Sequence, residues 1–576
     1  MATAPKAREG LSPNDDCHLP QYQPRLLPTT VDAIANSDPD RVLAEFLEAP
    51  HLSAGTFTLT FGVFARMVNR LAWWMSERCG QIGLIPFDTI ALAGFLDLRH
   101  FGMLVAAMKC GYKILFCTLV SDDAARARLL REAETKVFFT TKADESIESV
   151  IPCDLPTFTV PRVEELILPG AVRSFPYSKT FAEAAGDPII VFHTSGTTGF
   201  PKPRVWTNSH VAVMDRGPRV PSFRGREVSG YYKPVRVGRD RTRQFCGLRC
   251  CYTSMVAAIG TAVFLDLVVV FLPFHARNDS GDRAAFWLAQ ARCDEAIVFP
   301  SLLSLALESE QLLEQLARLR KIYWVGAPLS RDVAHRLTDR THLATLWGTT
   351  ESGYLTSFET DAADWNYICV NQTLDGVQWV EKAPDRFEMV FVRDAQAAIP
   401  HPVFQTLPEL AEFSSGDLFS PHPTKPDHWR YEGRPDNLLV LNDMLFDPSG
   451  IEQHVEQHPA VKSAIVLGIH YSVACLMVEL YETPQDPGRA FEEVWPTVQE
   501  ACKGRPKAQV VEAHRVILVR TEKPVPRNHK GEVKRAALAD LYSTEMDACW
   551  SARGSPDRLL DCRMPQECVQ GGSSTC

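Results

Sequence analysis

Between Ile189 and Asn208 an apolar run, Ile189-Ile190-Val191-Phe192, breaks off at Thr194-Ser195-Gly196-Thr197-Thr198-Gly199, and Lys202 follows directly after Pro201. This stretch constrains the fold more than any other. A short, wholly apolar run bounded by glycines reads as a buried strand, and the Ser/Thr/Gly residues after it cannot extend it. The turn that replaces it has its own chemistry. Glycines let the backbone approach an anion, the hydroxyls of Thr194, Ser195, Thr197 and Thr198 donate hydrogen bonds, and Lys202 adds a mobile positive charge. A triphosphate is the natural guest. Pro201 and Lys202 stand where the common nucleotide loop has Gly-Lys, and no Ser or Thr follows them, so this is a different phosphate loop.

The surrounding chain reads as α/β. Thr56–Leu59, Ile90–Ala93, Ile114–Phe116 and Val137–Thr140 are expected as strands. Helices are expected at Val31–Ala35, Phe61–Cys79, Arg99–Cys110 and Asp122–Ala133. In the helix from Phe61 to Cys79, Phe64, Met67, Val68 and Leu71 share one side. Such alternation predicts parallel sheets flanked by helices. Further on, Ala296–Phe299 leads into PSLLSLAL, and Ile322–Val325 leads into Gly326, Ala327 and Pro328. Turns of this kind put backbone groups at the carboxyl edge of a sheet, where open α/β folds bind ligands.

Two further motifs carry chemistry. Leu346–Gly353 reads LWGTTESG, in which Glu351 supplies a carboxylate between glycines. Phe413–Leu418 reads FSSGDL, in which Asp417 can accept two hydrogen bonds. WRYEGRPDNLLVL and VPRNHKGEVKR come later in the chain. Together these segments resemble the signatures of the adenylate-forming superfamily: acyl-CoA synthetases, luciferases and nonribosomal peptide synthetase adenylation domains. FHTSGTTGFPKP is most similar to fungal synthetase-like adenylate-forming enzymes.

The resemblance implies a large N-terminal adenylate-forming domain of layered, mainly parallel sheets and helices, with a small C-terminal α+β domain. Its boundaries are expected at 1–26 for a flexible leader, 27–435 for the large domain, 436–545 for the small mobile domain and 546–576 for a disordered tail. It implies that Trp347 stacks on or beside adenine, that Thr350 bonds the α-phosphate and that Glu351 holds magnesium. Gly326, Ala327, Pro328, Gly348 and Thr349 complete the nucleotide site with the loop from Thr194 to Lys202. Asp417 grips the ribose hydroxyls, Arg434 contacts the nucleotide and Asp436 is the hinge. The family's late lysine matches Lys530, with Lys534 in reserve, because Glu532 follows Gly531 where relatives have a Gly-Lys pair. Asn442-Asp443-Met444 departs from a glycine found in many relatives, in a loop that carries thioester chemistry.

The reaction so implied is ATP- and magnesium-dependent activation of a carboxylic acid, aryl or otherwise non-proteinogenic, to an acyl-adenylate. Transfer to a thiol of a separate carrier protein, through its phosphopantetheine, or of CoA would come next. A non-catalytic nucleotide-binding protein, a truncated synthetase remnant acting as a scaffold, is the rival. No phosphopantetheine attachment site, reductase or thioesterase motif is visible, so the adenylating unit is expected to stand alone.

Charge excludes other classes. A formal net charge of -10 argues against duplex nucleic acid as a partner. The apolar segment Cys251–Phe274 is long enough to span a bilayer, but Asp266, Gly260 and Pro273 interrupt it. A buried helix from about Met255 and a strand near Leu267–Leu272 account for it. The sixteen cysteines are scattered, and residues 1–20 lack the apolar core of a secretory signal. A reducing, cytoplasmic setting is expected, with Cys246, Cys250 and Cys251 as packed thiols. Gly217–Arg243, which includes Arg219, Arg224, Arg226, Arg236, Arg239 and Arg241, is expected to be an exposed loop.

Overall fold

The computed structural model describes residues 23 to 551 apart from 48–54, 95, 118–122, 142–154, 194–201, 232–240, 249–252, 273–279, 308, 327–328, 330, 395–400, 434–438, 442–443, 447, 468–473, 504, 506–509, 528–530 and 532. Contacts divide the chain into a larger unit ending at Glu432 and a smaller one continuing from Gly433.

Among the described residues the larger unit holds three large sheets and a two-stranded hairpin, Gly348–Thr349 with Gly353–Tyr354. A seven-stranded sheet runs in the order His342–Leu346, Lys321–Val325, Glu295–Val298, Arg243–Cys246, Val268–Phe271, Val42–Phe46 and Phe57–Thr60. A six-stranded sheet runs Thr157–Thr159, Thr135–Thr140, Thr89–Ala93, Lys113–Phe116, Pro188–His193 and Pro203–Thr207. Both are parallel except for the last pair of strands in each order. Central strands are apolar almost throughout because helices cover both faces: Thr89–Ala93 and Val268–Phe271 are buried at every position. The third sheet, Ser357–Phe358 through Val377–Ala383, is antiparallel at each described pairing.

The helix Phe61–Gln81 buries Phe64, Met67, Val68 and Leu71 on its inner side and is capped by Thr60, whose side chain accepts from the Val63 N–H. The apolar segment after Cys251 forms the helix Thr253–Phe264 and the strand Val268–Phe271, both packed in the core. Among the described residues no helix is long and apolar enough to cross a membrane. Cys246 is a buried thiol, while Cys250 and Cys251 lie outside the described residues.

In the smaller unit a three-stranded sheet, Val461–Leu467, Cys475–Leu480 and Val516–Leu518, is covered on both faces. Alternation decides which residue faces which helix layer. Val466, Leu476 and Val478 pack with Ile451, Val455, Val494 and Val498, and Ile465, Leu467 and Met477 pack with Leu538, Tyr542 and Met546.

Three expectations need correction. The tail does not begin at 546: Ser543–Ser551 is helical, with Met546 and Cys549 buried, because the sheet's second face needs a cover. The leader is tied down before residue 27, since Arg25 donates through Nε to Asp215 Oδ1 at 3.0 Å and Leu26 is buried. Gly217–Arg243 is not simply an exposed loop. Val228, Ser229 and Tyr231 are buried, and the arginines are partnered: Arg219 with Asp215, Arg224 with Asp427, Arg226 with Asp361, Arg241 with Asp266 and Arg243 with Glu45. Composition registers the positive charge but not the acids that the fold brings to it. Arg236 and Arg239 lie outside the described residues.

Candidate active site

The site is assembled at the carboxyl edge of the seven-stranded sheet. Strands Lys321–Val325 and His342–Leu346 run parallel with Val325 opposite Leu346, which puts Gly326 and Trp347 side by side just beyond them. Gly326 has φ +93, a conformation that favours glycine. LWGTTESG then turns back on itself as a hairpin, with Gly348 paired to Tyr354 and Thr349 to Gly353. A Cβ on Gly348 would lie 2.6 Å from the Gly353 carbonyl oxygen, so only glycine lets the two arms meet. Thr350, Glu351 and Ser352 form the tip. The tip is braced from within: the Ser352 N–H donates to Thr349 Oγ1 at 3.0 Å, and the two hydroxyls lie 2.9 Å apart. The Thr349 hydroxyl is therefore already engaged in the turn.

The strand after the phosphate loop holds this tip from outside. Pro188–His193 and Pro203–Thr207 pair antiparallel with His193 opposite Pro203, which fixes where Lys202 leaves the loop. Two residues apart on that strand, Arg204 and Trp206 share a face. Trp206 Nε1 donates to the Thr350 carbonyl at 2.7 Å, and Arg204 Nε donates to Glu351 Oε1 at 3.2 Å. The indole is buried, stacked on His210 at 4.9 Å and edge-on to Tyr354. Tyr354 Oη donates in turn to the Thr253 carbonyl. Neither Arg204 nor Trp206 stood out in the sequence. The signal was their period of two beyond Lys202.

Trp347 and Asp417, far apart in sequence, meet. The indole Nε1 donates to Asp417 Oδ2 at 2.9 Å, with both residues buried. Trp347 packs against Phe391 and Phe419, with ring centroids 6.0 Å away in each case. At 9% exposure it offers less open ring face than the expected adenine stack suggests. Gly416, at φ +69, makes the bend before Asp417, and its N–H donates to Glu388 Oε1 at 3.1 Å. Ser414 Oγ also donates to Glu388, and Lys382 Nζ lies 2.8 Å from its other oxygen. These contacts hold the Glu388 carboxyl below the usual glutamate range against the effect of its burial. Glu388 is a positioning residue for the SSGD bend, and nothing in its local sequence marked it.

Glu351 also suits a metal. Its side chain is 21% exposed, and among the described residues its only hydrogen bond is the one from Arg204. Among the described residues no three His, Cys, Asp or Glu side chains cluster to cage an ion. One carboxylate with substrate phosphates and water is how magnesium is usually bound, so Glu351 fits.

Thr194, Ser195, Gly196, Thr197, Thr198, Gly199, Ala327, Pro328, Arg434, Asp436, Asn442, Asp443, Lys530 and Glu532 lie outside the described residues. In the smaller unit Arg527 and Val533 form an isolated bridge, and Gly531 has φ +86, a conformation that favours glycine. Lys534 follows as the N-cap of the helix Arg535–Leu541.

His210, beneath the Trp206 ring, accepts from the Thr207 N–H through Nδ1 at 3.1 Å, and burial pushes its pKa from 6.5 down to about 3. Burial likewise takes His100 to about 4. Both imidazoles stay neutral in the fold but protonate near 6.5 once unfolded. The unfolded chain therefore binds the extra protons, and stability present above that pH is lost as pH falls toward 4 and then 3. The melting temperature is expected to fall through this window. His210→Asn, whose Oδ1 still accepts from Thr207, should flatten the slope; an unchanged slope contradicts the assignment.

Residues 33–379, more than half the chain, match the family model of the AMP-binding enzyme, and residues 436–554 match that of the AMP-binding enzyme C-terminal domain. The chain belongs to the AMP-binding enzyme family. That family is adenylate-forming and uses ATP and magnesium. An isocyanide synthase-NRPS hybrid of Aspergillus fumigatus is 27% identical over 563 residues, which cover 92% of this chain and 34% of that protein. A carboxylic acid reductase of Neurospora crassa is 27% identical over 549 residues, covering 92% and 51% respectively. The chain thus spans about a third to a half of the length of these curated relatives. Their fungal origin agrees with the flavour of the phosphate loop. The crystal structure of ATP-bound MatB from Rhodopseudomonas palustris is similar in fold, with a TM-score of 0.66 at 17% identity over 91% of this chain and 100% of that one.

Proposed function

We propose that this AMP-binding unit activates a small carboxylic acid, of aryl or other non-proteinogenic type, and passes it to a thiol. The observation that carries the reading is the convergence of separate motifs: Arg204, beside the phosphate loop, holds Glu351, while Trp347, at the sheet edge, holds Asp417. The name of the Neurospora relative supports a carboxylic acid as the substrate class. A carboxylate oxygen attacks the α-phosphorus of ATP. The new P–O bond forms as the bond to the bridging oxygen breaks, and pyrophosphate leaves with the electron pair. The products are an acyl-adenylate and pyrophosphate.

Catalysis is mostly positioning and charge stabilisation. Residues Thr194 to Lys202 hold the leaving phosphates. Thr350 bonds the α-phosphate, Asp417 takes the ribose hydroxyls and Arg434 touches the nucleotide. Gly326, Ala327, Pro328, Trp347, Gly348 and Thr349 line the adenosine. Magnesium, when bound at Glu351, neutralises phosphate charge. Lys530 bridges the carboxylate and the α-phosphate. The domains are a large one up to 435 and a small one from 436 that runs through the helix Ser543–Ser551. The small one turns about Asp436 so that the thiol of a carrier-protein phosphopantetheine or of CoA attacks the acyl carbon and AMP leaves.

Hydroxamate formation across a panel of aryl, keto and aliphatic acids tests the reading. At least one acid should give hydroxamate and pyrophosphate. ATP binding with no product from any acid would favour the scaffold. On an accepted acid Lys530→Ala should lose about tenfold or more, as for a charged hydrogen bond. Wild-type rates there, with a loss in Lys534→Ala, would move the role to Lys534.

A further inference from the structure

We propose that Arg204 is a positioning residue for the magnesium carboxylate. The inference rests on the assignment of Glu351 as the metal ligand and goes beyond it. Thr350 and Glu351 sit at a hairpin tip whose own arms pair at only two positions, Gly348 with Tyr354 and Thr349 with Gly353. So short a hairpin is marginal alone. Its orientation is set by the neighbouring strand Pro203–Thr207. Trp206, buried and stacked on His210, fixes the backbone through the Thr350 carbonyl. Arg204, one strand repeat closer to the phosphate loop, fixes the side chain of the next residue.

The form of the contact matters. Arg204 engages Glu351 through Nε to Oε1, not as a two-pronged fork, and its Nη1 is turned back to the Pro203 carbonyl at 3.3 Å. Among the described residues Oε2 accepts no hydrogen bond, so one oxygen is oriented by the guanidinium and the other stays available to a cation. A metal-binding carboxylate held by an outer partner is a recurrent design, and loss of such partners costs about 10–100-fold in metal affinity. At 39% and 21% side-chain exposure the pair contributes little to folding, so its removal separates positioning from stability.

The test uses Mn2+ as the probe, with ATP present and acid omitted, so that binding is read without turnover. Bound Mn2+ is followed by electron paramagnetic resonance in wild type, Arg204→Met, Arg204→Lys and Glu351→Gln, each first shown to melt as wild type does. Arg204→Met is expected to weaken Mn2+ about tenfold, Arg204→Lys to recover part of that loss, and Glu351→Gln to weaken it further. In turnover, Arg204→Met should raise the half-saturating magnesium concentration while leaving kcat at saturating magnesium within about twofold. Unchanged or tighter Mn2+ binding in Arg204→Met, with Glu351→Gln impaired, overturns the Arg204 proposal alone; tighter binding would mean that the arginine competes with the metal. Unchanged binding in Glu351→Gln overturns the metal assignment beneath it.

Discussion

Glu351→Gln is expected to lower acid-dependent ATP–pyrophosphate exchange about 100-fold, the range seen when one preorganised electrostatic contact to a transition state is lost. The substitution keeps shape and removes charge. At the hairpin tip the side chain is 21% exposed, and its pairing with Arg204 is a partly solvated one worth at most about 1 kcal/mol. The fold should therefore survive, with a melting temperature close to wild type. The hard anionic donor that keeps magnesium beside the leaving phosphates is lost. Exchange within threefold of wild type at limiting magnesium would remove Glu351 from the mechanism.

The second large effect is expected at Asp417, where one carboxylate serves both fold and ligand. It accepts the Trp347 indole N–H at 2.9 Å while only 4% exposed. Asp417→Ala leaves that buried donor without its acceptor, which costs about 1–3 kcal/mol. It also removes two hydrogen bonds from the ribose, and at charged-group strengths that weakens ATP roughly 100-fold. Asp417→Asn separates the roles, since its amide oxygen can still accept from Trp347. This variant should melt near wild type but bind ATP about tenfold more weakly, as the charge is gone. Calorimetry with a melting curve reads both. Equal ATP affinity in wild type and Asp417→Ala would mean that the aspartate is structural only.

Much of this architecture was legible because parallel strands covered on both faces leave an unbroken apolar signature. Thr89–Ala93 and the helix-then-strand after Cys251 could be found from it, the latter within two residues at the helix start. The motif residues were legible because each motif is contiguous. Contacts between motifs were not. Arg204 meets Glu351 across 147 residues and Trp347 meets Asp417 across 70, distances over which local pattern carries no information. Glu388 was hidden for the same reason, being an ordinary strand glutamate until the SSGD bend lies against it. Trp347 is the opposite case: its motif position suggested a ligand platform, but Phe391 and Phe419 claim much of its surface. In Ser543–Ser551 the buried positions Met546 and Cys549 lie three apart, one turn of an amphipathic pattern and too little to stand out from a polar tail.

Titration calorimetry of ATP with magnesium into the folded chain tests the central claim most directly. Saturable uptake of one ATP per chain, weakened in Asp417→Ala and made less dependent on magnesium in Glu351→Gln, is the predicted result. No uptake at millimolar ATP by a chain that still melts cooperatively would contradict it.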